Sequence, residues 1–122
     1  MLDSRLVSVI MPAYNSEVFI SEAIASVRSQ IYSNWELLII DDASTDATKE
    51  IILEFSQNDE RIKILENASN RGTHYARNKG IVAAQGDLIA FLDADDLWKP
   101  EKLQKQVKFL REENATACFS SY

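Results

Sequence analysis

The 122-residue chain has one cysteine, Cys118, only three glycines and no surplus of basic charge. A single thiol excludes an internal disulfide framework and any metal site built from several thiolates. Within "ATACFSS", Cys118 reads as a small buried strand residue rather than a reactive thiol. The scarcity of glycine, with no G-x-G-x-x-G after the first apolar run, argues against a dinucleotide-binding oxidoreductase. Thirteen basic side chains stand against 19 acidic ones, a formal net charge of -6, so the chain lacks the electrostatic footprint of a nucleic-acid binder. Long hydrophobic runs are missing too. The opening "MLDSRLVSVIMPAYN" is interrupted by Pro12 and matches neither a signal peptide nor a membrane span. A cytoplasmic location is expected, or the cytoplasmic face of a membrane to which the full-length protein attaches peripherally.

What is present is the composition of a soluble globular domain, 46% hydrophobic and 26% charged, with room for one core over residues 1–122. "LVSVIMP" reads as a strand. "SEVFISEAIASVRSQ" then carries Ile20, Ala23, Ile24, Val27 and Ile31 at helical spacing. "WELLIID" is a second, nearly continuous apolar run, followed by a helical stripe of Thr48, Ile51, Ile52 and Phe55 with Ser44 or Thr45 as its expected cap. "RIKILE" alternates like a strand nearer the sheet edge. "THYARNKGIVAAQ" predicts a helix with a small inner face of Ala76, Gly80, Ala83 and Ala84, and "DLIAFLD" predicts another buried strand. Pro100 opens a last helix with Leu103, Val107 and Leu110 inward. Strands alternating with helices predict an α/β fold: an open, mostly parallel, Rossmann-like sheet with helices on both faces. The chain breaks off on the strand-like "TACFSSY", which predicts truncation at the C-terminus.

In such sheets ligands collect at the carboxyl ends of the strands. Three of those ends are polar in a consistent way: "MPAYN", "IIDDAS" and "FLDADD". Asp41, Asp42, Asp93 and Asp95 are expected to converge there, and crowded carboxylates need positive charge between them. Hard divalent cations, Mn²⁺ or Mg²⁺, take oxygen ligands and bridge carboxylates to phosphate oxygens. "NRGTHYARNKG" adds Arg71, Arg77 and Lys79. Arg77 borders the small helix face, where its planar fork suits either an aspartate or a phosphate. His74, the only histidine, reads as a surface or loop residue, while Tyr32 and Trp35 read as packing residues.

Taken in order, "PAYN", "DDAS", "NRG", "ARNKG" and "FLDADDLW.P" closely resemble the family 2 glycosyltransferases, an inverting group with a GT-A fold, from about Val7 to Pro100 and loosely on to Tyr122. The resemblance implies a hexosyltransferase-type enzyme that moves a sugar from a nucleotide-sugar donor, a UDP-sugar first, to a saccharide or lipid-linked acceptor in cell-surface polysaccharide synthesis. It implies that Pro12, Ala13 and Tyr14 lie beside the base, that Asp42 accepts from uracil N3–H or binds nearby, and that Asp41 orients its neighbours in the same donor site. It gives Arg77 a role in base or phosphate contacts. Asp93, Ala94 and Asp95 resemble the DXD motif, with Asp93 facing the ribose or metal-bound water and Asp95 holding the metal. Asp96 takes a sugar hydroxyl or caps the turn, and Trp98 either walls the sugar site or packs in the core. The general base of inverting transfer is expected beyond Tyr122. Two other readings compete: a non-catalytic nucleotide-sugar-binding module, and a phospho-accepting receiver domain, whose acidic pair follows the first strand rather than the second.

Overall fold

The computed structural model describes residues 5–112, so Cys118 and the strand expected around it lie outside the described residues. The elements run β1 (Val7–Ala13), α1 (Ile20–Arg28), β2 (Trp35–Asp41), α2 (Thr48–Asn58), β3 (Ile62–Glu66), α3 (Thr73–Ala83), β4 (Leu88–Phe91) and α4 (Lys102–Glu112). The four strands form one parallel sheet in the order β3-β2-β1-β4. The order reverses between β2 and β4 on either side of β1, which opens a crevice at the carboxyl end of β1. In register, Ala13 lies beside Asp41 and Asp41 beside Glu66, so three strands end level there.

Strand alternation sorts the apolar side chains onto two faces. Val7, Val9, Met11 and Ala13 of β1, with Leu37 and Ile39 of β2, pack against Ile20, Ala23, Ile24 and Val27 of α1, Ile52 of α2, and Leu103 and Val107 of α4. On the opposite face Ile10 and Ile40 meet Ala76 of α3. The close approach of α3 depends on Gly80. A Cβ there would stand 2.6 Å from Ile10 Cγ2 and 3.0 Å from Ile40 Cδ1.

Four local expectations are corrected. Helix α1 stops at Arg28 and Ile31 is exposed, because Gln30 is buried beyond the helix end. Its side chain donates to Lys99 O at 2.7 Å and accepts from Leu103 N–H at 3.0 Å, which turns the chain away from the helix axis. Neither Ser44 nor Thr45 caps α2. Asp46, two residues upstream, accepts from Thr48 N–H at 2.9 Å, and Glu17 from the neighbouring β1–α1 loop accepts from Ala47 N–H at 2.9 Å, meeting the orphan donors. The inner face of α3 is Ala76 and Gly80, since Ala83 is exposed and Ala84 already lies past the helix. Finally, among the described residues β4 is an edge strand of the sheet. No described helix covers the outer part of its α3-side face, and Ile89 and Phe91 remain 43% and 41% exposed.

Candidate functional site

The two loops after β1 and β2 are stitched together. Asn15 N–H donates to Ser44 Oγ at 3.0 Å, Thr45 N–H to Asn15 Oδ1 at 2.8 Å, and Ser16 N–H to Thr48 Oγ1 at 2.7 Å. Two non-glycine residues there take the left-handed backbone region, Asn15 at φ 46° and Ala43 at φ 63°. Asn tolerates that region readily, and Ala does so only under constraint. The sharp reversal at Ala43 follows directly on Asp42.

These loops form one side of a cleft of about 400 Å³. Pro12, Ala13, Tyr14, Asn15, Ser16 and Phe19 wall it from the β1 side; Asp42, Thr73 and Ala76 line its interior; Asp93, Ala94 and Asp95 close it from the end of β4. Eight of the nine donor-site positions expected from sequence thus come to this crevice or its border. Of these, Arg77 reaches it through Asp93, its Nη2 standing 3.3 Å from Asp93 Oδ1. The ninth, Asp41, is not among the lining residues. It is buried at the end of β2, where its Oδ1 accepts from Ser44 N–H at 3.3 Å.

Asp42 is buried and heavily bonded. Its Oδ1 accepts from Asn67 Nδ2 and Arg71 N–H, and its Oδ2 from Gly72 N–H, each at 2.8 Å. Burial alone would push this carboxyl up, but the donors from Arg71, Asn67 and Gly72 outweigh it and hold the group below the ordinary carboxylate value. Asp42 is therefore an ionised acceptor with a fixed orientation. Asn67, Thr73 and Phe19 were not singled out from sequence. A signal for Asn67 existed, since it follows β3 just as Asp42 follows β2 and Asp93 follows β4.

After β4, carboxylate oxygens of Asp93, Asp95 and Asp96 lie within 4.8 Å of one another. Asp95 is exposed and the other two are half-buried. Asp96 N–H bonds Asp93 O at 3.0 Å, so a tight turn brings the three together. Oxygens this close, open to solvent, fit the donor set of a hard divalent cation. Arg77 is the only one of the three expected cations tied to this cluster. The Arg71 guanidinium lies 4.5 Å from the Tyr75 ring centroid. Lys79 donates to Glu66 O and to Asn67 Oδ1. Trp98 is buried in the core, which decides between its two readings, and His74 is exposed on α3.

Residues 8–122 match the family model described as glycosyl transferase family 2. The chain is 46% identical over 121 residues to WfgD of Escherichia coli, named a UDP-Glc:alpha-D-GlcNAc-diphosphoundecaprenol beta-1,3-glucosyltransferase, covering 99% of this chain and 47% of that protein. Among solved structures it resembles S. aureus TarS 1-349 in complex with UDP-GlcNAc, with a TM-score of 0.82, 33% identity, and coverage of 88% of this chain and 32% of that one. It also resembles the mannosyltransferase PcManGT of Pyrobaculum calidifontis in complex with GDP-Man and Mn²⁺, with a TM-score of 0.80, 30% identity, and coverage of 85% and 32%. The chain spans about half the length of the curated relatives it matches. It belongs to glycosyl transferase family 2 and has the α/β, Rossmann-like architecture of the GT-A glycosyltransferases.

Proposed function

We propose that this family 2 chain forms the donor-binding portion of a glycosyltransferase, one that moves a hexose from a nucleoside diphosphate to an acceptor hydroxyl with inversion. The observation that carries the reading is that one cleft is lined both by Asp42 and by Asp93 and Asp95, which cluster with Asp96. In this reading Pro12, Ala13 and Tyr14 flank the base and Asp42 accepts from one of its N–H groups. Asp41 acts indirectly, by holding the Ser44 turn. Asp95 and Asp93 hold a divalent cation, Mn²⁺ or Mg²⁺, near the diphosphate, with Ala94 keeping the turn between them compact. When bound, such a cation supplies Lewis-acid stabilisation of the charge that builds on the departing phosphate oxygens. Arg77 orients Asp93 and offers its remaining donors to the same oxygens.

UDP is the proposed nucleotide; the UDP-GlcNAc complex of TarS supports it, while GDP-Man in PcManGT makes GDP the alternative to exclude. The general base is proposed to lie beyond Tyr122, because the carboxylates of this cleft already serve Asp42's donors or the cation cluster, and the 122 residues alone are expected to bind donor without efficient transfer. A lipid-linked saccharide acceptor, used in surface polysaccharide synthesis at the cytoplasmic face of a membrane, is supported by the diphosphoundecaprenol in the name of WfgD. Among the described residues no helix is long and apolar enough to cross a membrane; peripheral attachment of the full-length protein belongs to the same proposal.

Calorimetric titration with UDP, GDP and dTDP, each with and without Mn²⁺, tests the reading, with Asp95→Ala as the paired variant. Saturable binding that requires both the cation and Asp95 is expected. Absence of binding by folded protein would overturn the assignment of this cleft to a nucleotide.

A further inference from the structure

The acceptor capacity of Asp42 is nearly exhausted. A carboxylate offers about four acceptor positions, two on each oxygen. Oδ1 is filled by Asn67 Nδ2 and the Arg71 N–H, and Oδ2 already takes the Gly72 N–H. Among the described residues, one position on Oδ2 remains.

Asn67 controls that count. It is 7% exposed, and its backbone N–H bonds Asp41 O at 2.9 Å. Lys79 Nζ donates to Asn67 Oδ1 at 3.1 Å, so the amide must turn its NH₂ toward Asp42. The order Lys79 to Asn67 to Asp42 is thus fixed in direction, since ammonium can only donate and carboxylate only accept.

We infer that Asn67, oriented by Lys79, is a positioning residue that leaves Asp42 a single open acceptor position and thereby selects a nucleobase presenting one N–H over one presenting two side by side. The inference rests on the reading that the cleft takes a nucleotide. Uracil and thymine present one imide N–H. Guanine presents N1–H beside the N2 amino group, and a carboxylate satisfies both only with its two oxygens together. Here guanine's second donor would enter the pocket without an acceptor, which a buried polar group tolerates poorly.

Inosine diphosphate separates donor number from ring size, because hypoxanthine is guanine without the 2-amino group. The experiment is calorimetric titration of the full chain with UDP, IDP and GDP in Mn²⁺, repeated for Asn67→Leu and Lys79→Met, with thermal unfolding of each protein. UDP is expected to bind, and IDP is expected to bind about tenfold tighter than GDP. Asn67→Leu frees a position on Oδ1 and should shrink the IDP-to-GDP ratio severalfold, and Lys79→Met should shrink it less. A purely structural role would weaken all three nucleotides equally and leave the ratio unchanged. IDP and GDP binding alike to the wild-type chain overturns the inference while leaving the donor site standing, as does an unchanged ratio in a folded Asn67→Leu protein. If that variant does not fold, an unchanged ratio in Lys79→Met decides against it. Failure of all three nucleotides to bind overturns the donor-site reading and this inference together.

Discussion

Arg77 Nη2 and Asp93 Oδ1 meet at 3.3 Å, joining the first half of α3 to the turn that follows β4. The guanidinium also lies 5.7 Å from the Phe91 ring centroid, and its Nε is buried with no hydrogen-bond partner among the described residues. Both members of the pair are close to half exposed, so the bridge contributes under about 1 kcal/mol to folding. Its larger effect concerns the anion bound beside it. Arg77→Ala should shift the unfolding midpoint only slightly and weaken nucleoside diphosphate binding about tenfold, measured by calorimetry beside thermal denaturation.

At the opposite end of the sheet, Glu36 is buried and ties β1, β2 and β3 to the loop between α3 and β4. It accepts from Ser8 Oγ at 2.6 Å, Gln85 N–H at 2.7 Å and Lys63 Nζ at 3.3 Å, while Gly86 N–H donates to Ser8 Oγ at 2.8 Å. Glu36→Ala strands the buried Ser8 hydroxyl and takes the acceptor from the Gln85 N–H and the half-exposed Lys63 ammonium. A loss of about 3 kcal/mol in chemical denaturation is expected, with nucleotide affinity of the remaining folded protein unchanged.

Gly80→Ala tests how closely α3 must lie on the sheet. The added Cβ would crowd the β-branched carbon of Ile10, which cannot swing aside without moving β1 or α3. A destabilisation of about 2 kcal/mol is expected by denaturant unfolding. No change would show that α3 has slack above Ile10 and Ile40.

Acid should unfold the protein through its buried carboxylates. For Glu36, burial pushes the carboxyl up, but the bonds from Ser8, Gln85 and Lys63 outweigh it and hold it below its ordinary 4.5. Asp42 lies below its ordinary 3.8 by the same balance. A carboxyl depressed in the folded state adds stability that is complete above its unfolded value and disappears as pH falls through its folded value. The thermal midpoint should therefore be level between about pH 7 and pH 5 and decline below about 4.5. Glu36→Gln and Asp42→Asn should each make that decline shallower; identical acid limbs in all three proteins would exclude these groups as its source.

The element order and the crevice were legible because their signals are local. Continuous apolar runs mark β1 and β2 as central strands, and Ile20, Ala23, Ile24 and Val27 mark one helix face. The polar residues after three such strands can open only at the carboxyl edge of a parallel sheet. Gln30 and Glu36 gave no comparable signal, since a buried polar side chain is stable only through partners distant in sequence: Lys99 and Leu103 for one, Gln85 for the other.

By itself the sequence determined that this is an alternating α/β chain with acidic strand ends, because hydrophobic period and side-chain charge are properties of neighbouring residues. Tertiary structure alone decided which acids share the cleft. Asp41 and Asp42 are adjacent and chemically identical, yet one is buried against the Ser44 turn and the other lines the cavity, where Asn67, Arg71 and Gly72 complete its bonds. Likewise Lys79 bonds Asn67 rather than the acidic cluster, and β4 lies at the edge of the sheet among the described residues. Those outcomes follow from strand order and helix placement, which are set by pairings far apart in the chain and so have no local pattern to betray them.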